Sequence, residues 1–148
     1  MHFKRSGSTY LIRLERGERA VESLTGFADR HRIGFAVIHA IGTFQRLTLG
    51  YYNALDKTYQ EQTLDEPFEV LNLSGNIAKG QDGERIVHAH VTVGRPDYTT
   101  LGGHLVEATV GPTLEVFVET LPVTIRRRQD PQTGLNVWDL EAIETLSV

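Results

Sequence analysis

Residues 9–41, TYLIRLERGERAVESLTGFADRHRIGFAVIHAI, decide the fold of this chain. Residues 9–14 have the apolar and β-branched composition of a strand. Over residues 17–32 apolar side chains recur at helical spacing and form one stripe, made of Ala20, Val21, Leu24, Phe27 and Ala28. Gly34 then stands where a left-handed helix cap is expected, and residues 35–41 are apolar enough for a strand buried on both faces. The stretch therefore predicts a β-α-β unit.

Strand patterns dominate the remainder of the chain. Residues 44–52, 68–74, 85–93 and 112–121 each predict a strand, residues 102–107 begin a further segment, and residues 135–140 predict a short last strand. One strong helix among many strands joined by short turns predicts an α+β fold. We expect a twisted, mostly antiparallel sheet with one main helix after the first strand.

Length and composition indicate an ordinary globular domain. The 148 residues suit a single domain, 1–148, and 40% hydrophobic with 23% charged residues excludes a disordered chain. No apolar run approaches the roughly 20 residues of a membrane-spanning helix, and no apolar stretch follows the basic N-terminal residues as a secretory signal requires. We therefore expect a cytoplasmic protein with no membrane partner.

The charge distribution gives no support to DNA binding. The formal net charge is −4, and the basic residues are spread along the chain apart from Arg126, Arg127 and Arg128. Proteins that hold DNA concentrate Lys and Arg on one surface, because phosphate contacts supply most of the affinity. The simplest interpretation of the arginine triplet is an edge strand or loop protected by charge.

The sharpest chemical motif is His88-Ala89-His90 followed by Gly102-Gly103-His104. Alternate residues of a strand project to one face, so His88 and His90 can reach one point above the sheet. We expect the two glycines to form a turn that brings His104 close to them. Three neutral imidazoles with one open position suit Zn²⁺, although nickel or iron would also be accepted. The alternative is a polar strand face that meets solvent or a neighbouring subunit.

Other catalytic motifs are absent from the sequence. The residues after His90 supply no glutamate of the kind that a cupin places behind its HxH pair, and the chain is too short for an amidohydrolase barrel. The sequence also contains no GxSxG, Walker loop, GxGxxG or HExxH motif. Since the chain has no cysteine, a metal would be bound by histidine and carboxylate ligands.

These motifs resemble those of the PPC (plants and prokaryotes conserved) domain family. The matching features are the apolar strand that ends in residues 40–44 (AIGTF), the central motif of residues 66–75 (EPFEVLNLSG), and the HxH and GGH motifs. The resemblance covers about residues 4–142, which we take as the core of the domain. It implies a homotrimer. Residues 70–73 and 114–118 are consistent with a trimer, because they carry apolar side chains on both strand faces. One of these faces then needs a neighbouring subunit to cover it.

In plant relatives an AT-hook precedes the domain and binds the minor groove of DNA. Here Gly94-Arg95-Pro96 is followed by Asp97 within the predicted fold and is interpreted as a turn.

Two functions follow from the resemblance. The first is a trimeric, DNA-associated or regulatory binding module with a three-histidine metal site, whose partner at that site or at the central motif would be a small molecule or a protein.

The alternative function is a small zinc-dependent enzyme that acts on an oxygen-rich small molecule. The fold resembles that of acetolactate decarboxylases, which bind zinc through an HxH pair and a later histidine. Such chemistry needs an acid or base beside the metal, and Glu69 is the candidate catalytic residue, with Arg95 and Glu107 as further candidates by type. Glu69 could equally be a charged group paired across the trimer interface.

The other notable side chains are interpreted structurally. We expect His39 to be a core or interface histidine, His2 and His31 to lie on the surface, and Tyr51, Tyr52 and Trp138 to serve packing.

Overall fold

A computed structural model describes residues 1–145 as one helix and nine strands. In chain order they are β1 (His2–Ser6), β2 (Thr9–Glu15), α1 (Ala20–Arg30), β3 (Ala36–Asn53), β4 (Thr58–Leu64), β5 (Phe68–Lys79), β6 (Arg85–Gly94), β7 (Thr100–Thr120), β8 (Val123–Gln129) and β9 (Asn136–Thr145). The sequence analysis did not predict the polar strand β1, so the main helix follows the second strand and not the first. β4 was not predicted either, and within β8 only the arginine triplet was interpreted as an edge strand or loop. β3 and β7 each unite two predicted segments. Within residues 1–145 no helix is long and apolar enough to cross a bilayer.

The strands form one sheet in the order β1-β2-β7-β3-β5-β8-β9, with β4 beside β3. β6 pairs with both β5 and β7, so β3, β5, β6 and β7 pair around a closed cycle. Every pairing among the described strands is antiparallel except a single parallel pair, Lys79 with Arg126, which joins β5 to β8. The prediction of a mostly antiparallel sheet with one helix is confirmed.

Helix α1 packs the predicted apolar stripe against the sheet. Ala20, Leu24, Phe27 and Ala28 are buried, and Val21 is half-buried. The N-cap residue, Arg19, precedes the helix and forms no side-chain capping hydrogen bond. Instead the Glu107 carboxylate on β7 accepts hydrogen bonds from the backbone N–H groups of Val21 (2.8 Å) and Glu22 (3.2 Å). A residue distant in sequence therefore satisfies the free donors of the first turn.

The helix ends differently from the prediction. The left-handed residue after α1 is Arg32, with a φ of 52°, and Gly34 does not adopt that conformation. Gly34 is needed for another reason: a Cβ there would lie 2.5 Å from the Thr124 hydroxyl and 2.7 Å from the Val123 carbonyl oxygen. The glycine thus allows β8 to approach the chain closely.

One face of the sheet carries exposed apolar side chains. Leu11, Ile41, Leu71 and Phe117 are between 45% and 58% exposed. Phe117 on β7 is directly opposite Leu11 on β2 and His39 on β3, so these three share a face. His39 is exposed here, so of the two expected environments the core of the single chain is excluded and the interface stays a prediction.

Candidate metal centre and adjoining cleft

The three predicted histidines converge because two antiparallel strands present them on one face. On β6 the side chains of Val87, Ala89 and Val91 point into the core, which leaves His88 and His90 on the outer face. His104 lies within β7, directly opposite His90. The expected glycine turn is therefore part of a strand, and Gly102 instead permits close strand contact, since its Cβ would lie 2.6 Å from the Val91 carbonyl oxygen.

The spacing of the imidazoles is compatible with a metal ion. The ring centroids of His88, His90 and His104 are 5.3–5.5 Å apart, and one nitrogen from each ring lies within 4.8 Å of the others. Tetrahedral coordination at 2.0–2.1 Å places ligand nitrogens about 3.4 Å apart, so modest side-chain rotation closes the set. In addition, the buried Nδ1 of His104 has no hydrogen-bond partner among the described residues. The donor set therefore fits a divalent cation.

The surroundings favour the neutral form of His88 and of His104. Burial, followed by the charges of Arg127 and the two other histidines, lowers the pKa of His88 to about 4. Burial and the neighbouring His90 also lower the pKa of His104, against an opposing contribution from Glu61. A neutral imidazole has the free lone pair that a metal requires, so both side chains are available as ligands at neutral pH.

An open cleft of about 840 Å³ adjoins the three histidines. Tyr52 on β3, Tyr59 on β4 and Trp138 on β9 contribute aromatic walls. Tyr59 lies against His104, with ring centroids 5.7 Å apart, and the Tyr52 hydroxyl donates to the Thr133 carbonyl oxygen at 2.5 Å. The aromatic side chains therefore do more than the packing predicted for Tyr52 and Trp138.

Arg127 is a buried charged residue of the site that sequence reasoning missed. It is 6% exposed and donates from Nη2 to the Asn76 side-chain oxygen (2.7 Å) and from Nη1 to the Asn136 carbonyl oxygen (2.8 Å). Nη2 also lies 3.3 Å from Nδ1 of His88. The arginine triplet does lie on a strand, but only its outer members, Arg126 and Arg128, have the solvent-facing role that was expected. Period-two alternation within β8 was the available signal, since it places the middle arginine on the opposite face.

The other candidate polar residues lie apart from the histidines. Glu69 is exposed on β5, opposite Thr43 and Gly94, and does not line the cleft. Arg95 forms an ion pair with Glu66 at 2.9 Å in a turn after β6. Glu107 is occupied by the N-terminus of α1.

The remaining predicted side-chain environments are only partly correct. His2 is exposed, but His31 is half-buried against Phe27, with ring centroids 4.2 Å apart. Tyr51 is 70% exposed, so the packing role predicted for it is wrong. Trp138 is 41% exposed and packs edge-on against Phe35.

Fold and site together define an α+β domain with a candidate metal centre of the three-histidine class. Residues 1–122 match the family described as the Plants and Prokaryotes Conserved (PCC) domain, and the chain belongs to this family, the PPC family of the resemblance above.

Solved structures of other proteins are similar over nearly the whole chain. A Bacteroides thetaiotaomicron protein described as a "putative dna binding protein" is 34% identical, with a TM-score of 0.91 over 95% of this chain and 97% of its own. An Archaeoglobus fulgidus protein described as metal-containing is 37% identical, with a TM-score of 0.82 over 93% and 98% of the two chains. A PPC protein from Pyrococcus horikoshii is 32% identical, with a TM-score of 0.81 over 99% and 96%.

More distant comparisons show the fold alone. The α-acetolactate decarboxylase of Bacillus subtilis is 15% identical, and the alignment covers 75% of this chain and 51% of the decarboxylase with a TM-score of 0.52. No curated protein matches the chain.

Proposed function

We propose that this chain is a metal-binding PPC-domain protein that holds one divalent cation, zinc by preference, through His88, His90 and His104. The convergence of three imidazoles, with one nitrogen of each within 4.8 Å of the others, carries the proposal. The similarity to the metal-containing Archaeoglobus protein supports it. When bound, the cation would offer an open coordination position to a ligand in the cleft, while the histidines fix its place on the sheet.

Elemental analysis tests the metal site directly. Purified protein should contain about one equivalent of metal per chain, and chelation should remove it. The substitution His90→Ala should abolish most of the metal, because it removes an exposed ligand whose loss leaves the core packing intact. His2→Ala is the matched control, since His2 is exposed and does not line the cleft. Equal metal content in both variants would refute the assignment.

We propose a homotrimer assembled through the exposed apolar face of the sheet. Leu11, Ile41, Leu71 and Phe117 provide apolar surface that a single chain leaves in water. The registers place Phe117, His39, Ser74 and His90 in one row across β7, β3, β5 and β6, so the metal ligand His90 lies on the same face. Assembly would then bring neighbouring subunits close to the candidate metal centre.

As to partners, we propose a regulatory binding role in the cytoplasm, with DNA association through other proteins rather than through this domain's own surface. The description of the Bacteroides relative favours a connection with DNA. However, this chain has a net charge of −4, and Arg95 of the Gly-Arg-Pro sequence is engaged by Glu66.

The alternative proposal, a small zinc-dependent enzyme, is favoured by the cleft beside the histidines. Arg127, Tyr59 and Glu61 border it and could bind or exchange protons with an oxygen-rich molecule. Glu69, the catalytic candidate from the sequence, lies outside this cleft. Turnover of a small hydroxy acid or keto acid by the zinc-loaded protein, lost in His90→Ala, would establish this alternative.

A further inference from the structure

The guanidinium of Arg127 is buried without a carboxylate partner. Arg127 is only 6% exposed, and no carboxylate among residues 1–145 lies within 4.0 Å of it. Its contacts are neutral: the Asn76 amide, the Asn136 carbonyl group and the His88 imidazole. Its Nε–H has no acceptor within residues 1–145. Buried charges in proteins are normally paired, so the Arg127 guanidinium lacks the counter-ion that its burial would require.

The neighbourhood increases the need for negative charge. His88 lies 3.3 Å from the guanidinium, and a divalent cation on the three histidines would add positive charge to the same cleft. Asp82 and Glu84 border a smaller pocket that Arg127 also lines, yet neither approaches the guanidinium within 4.0 Å. The cleft side of Arg127 is therefore where an anion would be stabilised most.

The walls of the cleft indicate what kind of anion fits. Val106, Leu135 and Val137 contribute apolar surface, and Tyr59 and Trp138 contribute aromatic rings. Such walls suit a ligand with a carbon skeleton, whereas Glu61 at the same cleft disfavours a multiply charged phosphate. One guanidinium matches one carboxylate.

We infer that the cleft binds a small organic acid whose carboxylate pairs with Arg127 beside the three histidines. The inference deepens the proposed metal-binding function and rests on it for the second positive charge. Arg127, Asn136 and Trp138 all belong to residues 123–145, beyond the stretch that matches the family. The β8–β9 hairpin thus supplies the anion-binding side of the cleft, and β6 and β7 supply the histidines.

Trp138 provides the readout, because it is the only tryptophan of the chain, lines the cleft and donates to Asn76 at 3.3 Å. Zinc-loaded protein is titrated with propionate and, separately, with the neutral analogue propionamide while tryptophan fluorescence is recorded. Propionate should give a saturable change, and propionamide should bind at least tenfold more weakly. Equal binding of the two molecules would overturn the inference.

Two substitutions locate the anion. Arg127→Gln should weaken propionate binding about tenfold or more, as expected for the loss of a charge-assisted contact. The matched control Arg126→Gln, which alters the exposed neighbour of Arg127, should leave it unchanged. Zinc content is measured on the same samples. Retained zinc with undiminished propionate affinity in Arg127→Gln overturns the inference alone, whereas absent zinc in the wild type refutes the proposed metal site.

Asn76→Asp keeps the test decisive if Arg127→Gln does not fold. The new carboxylate would replace an oxygen 2.7 Å from Nη2 and give Arg127 an internal counter-ion. This variant should have a higher melting temperature than the wild type and lose the propionate response. An unchanged response in Asn76→Asp would contradict the inference.

Discussion

Replacing Glu107 with alanine should destabilise the domain through the helix that it caps. The carboxylate is 18% exposed and accepts two hydrogen bonds from the first turn of α1, at 2.8 and 3.2 Å. Loss of an N-terminal cap costs about 0.5–2 kcal/mol, and loss of a negative charge at a helix N-terminus about 0.3–1 kcal/mol. Together these effects predict a decrease of about 2 kcal/mol in the free energy of unfolding.

Urea denaturation followed by circular dichroism measures this decrease directly. For a domain of this length a loss of 2 kcal/mol corresponds to a melting temperature lower by about 4–8 °C. Glu107→Gln should retain part of the stability, because its amide oxygen still accepts a hydrogen bond. Glu119→Ala is the control on the same strand, where the side chain is exposed and the structure records no ion pair among the described residues.

A capping role for Glu107 is refuted if Glu107→Ala loses no more stability than Glu119→Ala. The capping role is also refuted if zinc content falls in Glu107→Ala while the unfolding curve is unchanged, since that result would assign Glu107 to the metal centre. A change in stability and a change in metal content can be told apart, because the metal assay and the denaturation are independent measurements.

Four further predictions follow from the structure. Gly75→Ala should prevent folding, because its Cβ would lie 2.1 Å from the His88 carbonyl oxygen. Gly26→Ala on α1 should instead raise the free energy of unfolding by about 0.5–1 kcal/mol, because alanine favours the helix. Soluble yield and urea denaturation curves compare the two variants. The lowered pKa of His88 keeps this side chain neutral in the folded state, while in the unfolded chain it takes up a proton below pH 6.5. The free energy of unfolding of metal-free protein should therefore decrease by about 1–2 kcal/mol, after solvent screening, as the pH falls from 6.5 towards 4. His88→Asn should reduce this pH dependence, which urea curves at several pH values measure. Light scattering should give about three times the chain mass of 16.6 kDa, and a monomer at micromolar concentration would refute the trimer. In gel-shift assays at physiological salt, A·T-rich duplex should not bind tightly in the presence of competitor DNA, and a surviving complex would contradict the proposed indirect role.

Local patterns predicted the helix and the convergence of His88, His90 and His104 well. The stripe on α1 and the alternation of β6 are periodicities within one element, and each is visible in fewer than a dozen residues. His104 was found by its residue type and the glycines before it, although the geometry that brings it to His90 is strand pairing and not a turn. The candidate ligand set was therefore predictable without knowledge of the register.

Local sequence patterns could not predict the contacts between segments that are distant in the chain. Arg127 is charged in the sequence, and only the packing of β8 against β5 shows that it is buried beside His88. Glu107 has the residue type of a catalytic acid, but the helix N-terminus that occupies it lies 85 residues away. Likewise the polar strand β4, which brings Tyr59 to the cleft, has no apolar alternation because almost all of it is exposed.

The division of the cleft between two parts of the chain has a consequence for how its specificity can change. Substitutions in residues 123–145 can alter the charge and shape presented to a ligand while β6 and β7 continue to hold the three histidines in place. Metal retention and ligand choice are then separate traits of one domain. If His88, His90 and His104 bind a metal, a chimera that carries the β8–β9 hairpin of another PPC protein should retain that capacity and acquire a different preference among small molecules.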